Sequence, residues 1–256
     1  MIGIVIAFTL PGGLSIISFS LSLGIGAMIG LAWVAWRGKP NQVPIHLDAG
    51  LAALLGGIVG GRLAYGAVHF AYFREHLLDL VLIPLGGLSW IGAVIGAALA
   101  LWVVARLKRQ PVLAMMDALL PAATTVTISA WLACWLGGCA YGAAVDAWWA
   151  LPARDEWGNM ADRLPVQLFG AILTLGLLWL VEWRQPRQTA PGRMSLMWAC
   201  GFSLIMLLLT WLRADPALLW LGLRLDAWAA VLFLLITAIG YYIFLRRGKE
   251  MAERGT

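Results

Sequence analysis

The sequence predicts an all-α, polytopic membrane bundle of about seven transmembrane helices, a single integral domain over residues 1–256, and three observations lead there. Of its 256 residues 62% are hydrophobic and only 12% charged. The apolar residues gather in runs of about twenty, the length a helix needs to cross a hydrocarbon core of about 30 Å. The cations sort by connection: twelve follow the first, third and fifth runs or end the chain, whereas Arg74, Arg154, Arg163, Arg213 and Arg224 lie in the opposite connections. Lysine and arginine accumulate on the cytoplasmic side, so the N-terminus is expected outside and the C-terminus in the cytoplasm. The net charge of +5 is thus spread over membrane-flanking connections, which argues against nucleic acid as a partner.

The first run, Ile16–Trp36, carries Gly26 and Gly30 four apart and ends in Arg37 and Lys39. The apolar stretch Met1–Leu10 before it has no charged n-region and no small-residue cleavage site, so it reads as a segment at the outer interface, not a removable leader. Leu47–Phe70 holds Gly56, Gly57, Gly60, Gly61 and Arg62; Leu82–Val104 holds Gly92 and Gly96 and is followed by Arg106, Lys108 and Arg109. Small residues four apart let helix backbones approach closely in lipid, where packing drives association. The doubled glycines Gly60-Gly61 and Gly86-Gly87 are also places where a helix could thin or break. Gly138 and Gly142 repeat the same spacing.

The fourth run, Met115–Trp135, begins at Asp117, where a helix N-terminus favours a carboxylate. Its polar side, Thr124, Thr127, Trp131 and Cys134, reads as hydroxyls bonding the preceding turn or a neighbouring helix. The connection Tyr141–Arg163 is long for a compact bundle, and such loops are often functional. Val166–Trp183, Leu196–Leu212 and Ala227–Leu245 complete the set, flanked by Arg184, Arg187 and Arg193, by Arg213, and by Arg246, Arg247, Lys249 and Arg254. Fifteen tryptophans, among them Trp36, Trp148, Trp149, Trp183 and Trp211 near helix ends, fit interfacial anchoring.

Arg62 is the first pointer to a site, because a charge inside hydrocarbon costs about 2.5–3.5 kcal/mol on insertion scales and is kept where it meets protein or a polar ligand. Arg62, Tyr65 and His69 fall at i, i+3 and i+7, on one helix face climbing towards the outer leaflet. The arginine fork matches phosphate geometry, so an anionic phospholipid headgroup is the expected ligand. Snorkelling of Arg62, or pairing with Asp79, is the structural alternative. Arg163 and Gln167 stand one turn apart at the outer start of the fifth helix, and Arg213 ends the sixth on the same side. Arg62, Tyr65, Arg163, Gln167 and Arg213 are therefore the candidate headgroup-binding set. Three cysteines are too few for a disulfide framework and show no zinc spacing; no metal and no cofactor is expected. Cys134 and Cys139, five apart on the oxidising side, could still pair if the Gly137-Gly138 step bends the helix.

The order of these pieces resembles the bacterial prolipoprotein diacylglyceryl transferases. The resemblance runs through GGRLAY (Gly60–Tyr65), GGLSWIGAVIG (Gly86–Gly96), Asp117 with Pro121, GGCAYG (Gly137–Gly142), RLPVQLF (Arg163–Phe169) and WLRADP at the end of the sixth helix. It implies a seven-helix enzyme of the bacterial cytoplasmic membrane that moves the diacylglyceryl group of phosphatidylglycerol onto the cysteine thiol of a lipoprotein precursor and releases glycerol phosphate. Such a site requires a base for the thiol and cations for the phosphate. The chain departs from the family pattern at several positions: Ile91 stands at the family's histidine, Trp131, Cys134, Gly137, Gly138 and Cys139 cover the arginine, asparagine and glycine-glutamate signature, and Met206 falls on the sixth-helix arginine. The alternative reading is a non-catalytic lipid-binding or scaffolding subunit partnered by other membrane proteins.

Overall fold

The computed structural model describes residues 6–9, 15–82, 87–184 and 190–254. Seven of its helices are long and apolar enough to cross a membrane, and the chain is a multi-pass membrane protein. In order they are α1 (Ser18–Arg37), α2 (Val43–Val68), α4 (Trp90–Leu107), α6 (Leu120–Gly137), α7 (Val166–Trp183), α8 (Arg193–Thr210) and α9 (Leu225–Arg254); α3 (Phe70–Phe73) and α5 (Val112–Ala118) are short. Three antiparallel hairpins, β1 (Ile6–Thr9) with β2 (Ser15–Ile17), β3 (Leu151–Arg154) with β4 (Met160–Arg163), and β5 (Leu219–Trp220) with β6 (Leu223–Arg224), occupy the same end of the bundle, away from Arg37 and Arg184. Within the expected outer segment Met1–Leu10, only 6–9 are described; Gly86 and Arg187 also lie outside the described residues.

The glycine spacings do what lipid packing asks of them. A Cβ on Gly26 would stand 2.1 Å from the Ser129 hydroxyl and one on Gly30 2.2 Å from that of Thr125, so α1 and α6 meet nearly backbone to backbone. On α2 and α4, a Cβ on Gly56 would stand 2.5 Å from the Gly96 carbonyl oxygen and one on Gly60 2.4 Å from that of Gly92. The opposite face of α2 shows Leu51, Leu55, Val59 and Leu63 at four-residue spacing, all more than half exposed: a lipid-facing stripe. The central core joins Trp131, Val166, Leu178, Phe202, Ile205, Met206 and Ala230 from α6, α7, α8 and α9, and Trp90 of α4 meets Phe202 and Phe233 edge-on.

Several expectations are corrected. α2 is unbroken through Gly60-Gly61, because both glycines serve close packing against α4. The third crossing begins at Trp90 and not Leu82: Gly87 takes φ +82, which ends any helical continuation. Gly138 and Gly142 pack against loop backbone at Asp155 and Leu164, not against a helix. Thr127 bonds the preceding turn of its own helix, at the Ala123 carbonyl (2.8 Å), as one of the two expected modes, and Ser22 makes an interhelical bond, its hydroxyl donating to the Ser129 carbonyl at 3.1 Å.

Asp117 sits in α5, where it caps a different helix from the one expected. It accepts the Gly192 N–H at 2.6 Å, the Ser195 N–H at 2.8 Å and the Ser195 hydroxyl, and so neutralises the start of α8. Asp117→Ala is expected to lose about 1–2 kcal/mol of stability, the usual cost of a lost helix cap, with Asp117→Asn recovering part of it. Thermal unfolding in detergent checks this; an unchanged midpoint in the alanine variant would show that water replaces the cap.

Candidate functional site

The hairpin end of the bundle contains two polar clusters. In the first, Arg62 is only 5% exposed and donates from Nε to the Leu80 carbonyl (3.0 Å), from one terminal nitrogen to Gly87 (3.0 Å), and from the other to Leu82 (3.2 Å) and Asp79. These carbonyls belong to the segment that returns from α3 to α4, so the guanidinium pins that segment to α2. Its carbon also lies 5.3 Å from the Phe73 ring centre and 6.0 Å from that of Tyr65. Tyr65 stacks on His69 at 4.1 Å, and Gly87 lies so close over the Tyr65 ring that a Cβ there would fall 2.4 Å from it. The expected one-face grouping of Arg62, Tyr65 and His69 is present. Pairing with Asp79 uses its backbone oxygen, while the Asp79 carboxylate accepts the Tyr72 hydroxyl at 2.6 Å.

The second cluster is built on the turn that ends α6. Gly138 adopts φ +72, and a Cβ there would stand 2.3 Å from the Asp155 carbonyl, so only glycine fits. The chain turns back, the Cys139 N–H reaches the Cys134 carbonyl at 2.9 Å, and Cys134 and Cys139 form a disulfide. Gln167, 1% exposed, donates to the Cys139 carbonyl at 3.0 Å. The following residues run between two others in extended pairing: Gly142 bridges Arg213, and Ala144 bridges Arg163. Arg163, Gln167 and Arg213 are thereby gathered around residues 139–144, and Arg62 is held by a different segment.

Their side chains differ in how far they are occupied. Arg213 makes a two-pronged pair with Asp215 (2.8 and 2.6 Å) and a further contact with Asp226 at 3.2 Å. Burial opposes its charge, but the two carboxylates outweigh that and shift its pKa up. Arg224 also reaches Asp215, at 3.2 Å, so two arginines and two aspartates balance in charge, although the buried Nε of Arg224 has no hydrogen-bond partner among the described residues. Arg163 is much less engaged. Its guanidinium lies 4.6 Å over the Tyr141 ring and touches Asp155 at 3.4 Å, while its buried Nε has no partner among the described residues. Asp155 is already occupied by the N–H groups of Trp157 (3.0 Å) and Asn159 (2.8 Å). Burial works against its ionisation, yet these N–H groups and Arg163 together hold its carboxyl below the usual carboxylate range.

Tyr141 and Glu156, which sequence reasoning did not single out, complete this cluster. The Tyr141 hydroxyl donates to one oxygen of Glu156; the other, Oε1, is buried without a partner among the described residues. Burial first, and then Glu156, push the phenol pKa up, so the hydroxyl stays a neutral donor. The turn-forming Asp155, Gly158 and Asn159 were the available signal for this geometry, since they mark a tight reversal inside the long connection. The positions noted as departures are filled by packing: Trp131 lies over Gly170, where a Cβ would fall 2.3 Å from its ring, and Met206 is buried in the core.

Comparison with known proteins gives a consistent result. The family model described as prolipoprotein diacylglyceryl transferase matches residues 5–243. The chain is 31% identical over 227 residues to a phosphatidylglycerol–prolipoprotein diacylglyceryl transferase of Streptomyces griseus, covering 85% of this chain and 68% of the relative. It is 28% identical over 262 residues to the protein of that name from Corynebacterium efficiens (93% and 80% covered). It is 26% identical over 246 residues to that of Thermosynechococcus vestitus (92% and 91%).

Proposed function

Because the chain belongs to the prolipoprotein diacylglyceryl transferase family, we propose that it transfers the diacylglyceryl group of phosphatidylglycerol to the cysteine thiol of a lipoprotein precursor, in the bacterial cytoplasmic membrane. The family match over residues 5–243 carries this reading. The hairpin end, with both polar clusters, is proposed to face the outer side, a reading supported by the positive-inside bias of the connections. There Arg163 is the cation proposed to meet the headgroup phosphate, since its Nε–H is unused. Arg62, Tyr65, Gln167 and Arg213 are proposed to frame that site, holding the loops that surround it. The relatives carry the name of the enzyme, which favours catalysis over a scaffolding subunit.

The direct test uses purified protein in phosphatidylglycerol nanodiscs with a cysteine-bearing lipoprotein signal peptide, and measures released glycerol phosphate. Release above a heat-treated control is expected, and Arg163→Ala should lower it about 10²-fold, as loss of a charge-stabilising donor does. No release from protein that still binds the lipid would remove the reading, and a stoichiometric membrane partner after native purification would point to the subunit role instead.

A further inference from the structure

We propose that Glu156 is the catalytic base of this transferase, working in one cluster with Tyr141 and Arg163; the assignment rests on the function proposed above. The reaction needs a proton acceptor for the thiol and a positive group for the departing phosphate. The groups available near the end of α6 limit the choice. Ile91, Trp131 and Met206 carry no titratable atom, Cys134 and Cys139 are bonded to each other, and Asp146 and Asp162 of the same connection are exposed to solvent, away from the buried part of the cluster. Asp155 is filled by three donors of its own turn and Arg163; Asp215 and Asp226 are filled by Arg213 and Arg224. Glu156 is different. One of its oxygens takes the Tyr141 hydroxyl and the other is buried with no donor.

Arg163 shows the complementary deficiency, a buried Nε–H with no acceptor, while its guanidinium lies flat over the same Tyr141 ring. A buried polar atom without a partner is costly, so such atoms point to groups that are bound in function. The cluster lacks one hydrogen-bond donor and one acceptor. A thiol S–H and a phosphodiester oxygen supply that pair. Tyr141 links the two halves: its neutral hydroxyl orients the carboxylate, and its ring face holds the cation. Glu156 is half-buried, so a rotamer change brings Oε1 to an incoming thiol.

The step balances without any further reagent. Glu156 Oε1 accepts the thiol proton, and the sulfur electron pair forms a bond to the glyceryl carbon that carries the phosphate. The carbon–oxygen bond breaks with its electrons going to the phosphate oxygen, whose charge Arg163 stabilises. Glu156 then returns the proton to the released glycerol phosphate, restoring the carboxylate.

The test compares wild type with Glu156→Gln, which keeps an oxygen for the Tyr141 hydroxyl but cannot take a proton, and with Glu156→Asp, which keeps the base on a shorter arm. The glutamine variant is expected to lose about 10²–10⁴-fold in kcat with KM for phosphatidylglycerol nearly unchanged, as removal of a general base does. The aspartate variant should recover part of that rate. Circular dichroism and the unfolding midpoint of Glu156→Gln should match wild type. An active wild type with a glutamine variant of equal kcat overturns the assignment and leaves the transferase reading standing. A misfolded glutamine variant with a fully active alanine variant overturns it as well. An inactive wild type overturns both.

Discussion

Arg62→Ala is expected to be among the most damaging single substitutions in the chain, costing about 3–5 kcal/mol, the range seen when one partner of a buried charged interaction is removed. The guanidinium is nearly inaccessible and collects the carbonyls of Asp79, Leu80, Leu82 and Gly87. Without it the carbonyls of Leu80, Leu82 and Gly87 lose their side-chain donor, each at a cost of about 1–3 kcal/mol unless the segment swings out to water, while the Asp79 carbonyl keeps the Leu82 N–H at 3.3 Å. The loop would then detach from α2, and Tyr65 would lose the Gly87 backbone over its ring. Arg62→Lys should restore little, because one ammonium cannot reproduce a planar fork that spans several acceptors. Thermal unfolding in detergent, with protease accessibility of residues 74–89, reads both parts. A wild-type midpoint and an intact loop in the alanine variant would show that the carbonyls find other donors.

Gly60→Val is the second large effect, and it acts through shape alone. A Cβ at this position would lie 2.4 Å from the Gly92 carbonyl oxygen and 2.8 Å from the Gly96 Cα, both backbone atoms that cannot rotate away. α2 and α4 must separate, forfeiting contact along their whole length. The expected loss is at or above the upper end of the about 1–3 kcal/mol typical of overpacking. Gly176→Val on α7 is the matched control, since nothing lies within 4 Å of a Cβ there. The valine at 60 should lower the unfolding midpoint strongly and the one at 176 hardly at all. Equal behaviour of the two would show that helix propensity, not close approach, governs both sites.

The bundle itself was legible in the sequence because length and hydropathy suffice for membrane crossing, and the four-residue glycine spacing signals close approach without naming the partner, which for Gly138 and Gly142 is loop backbone. What the sequence could not show is which oxygen or carboxylate each arginine would find. Arg62 is satisfied by carbonyls from a segment about twenty residues on, and backbone acceptors leave no trace in residue identity. Arg163 and Arg213 do flank one strand-like segment, as their shared side implied, yet Arg213 is occupied by Asp215 and Asp226 while Arg163 is not. Asp117 was read as serving the nearest helix and caps α8 instead, because α5 intervenes. Tyr141 and Glu156 escaped notice because only the left-handed turn at Gly138 and the reversal at Asp155–Asn159 bring them together.

The charge-balanced quartet of Arg213, Arg224, Asp215 and Asp226 has an effect beyond its own neighbourhood. Opposite charges only a few ångströms apart cancel well inside the Debye length, about 8 Å at physiological ionic strength, so the quartet projects almost no field onto the bilayer surface. Long-range attraction of an anionic lipid towards this face is left to the arginines outside the quartet, Arg62 with its neutral carbonyl partners, the exposed Arg154 and the loosely paired Arg163, and ionic strength modulates capture through these.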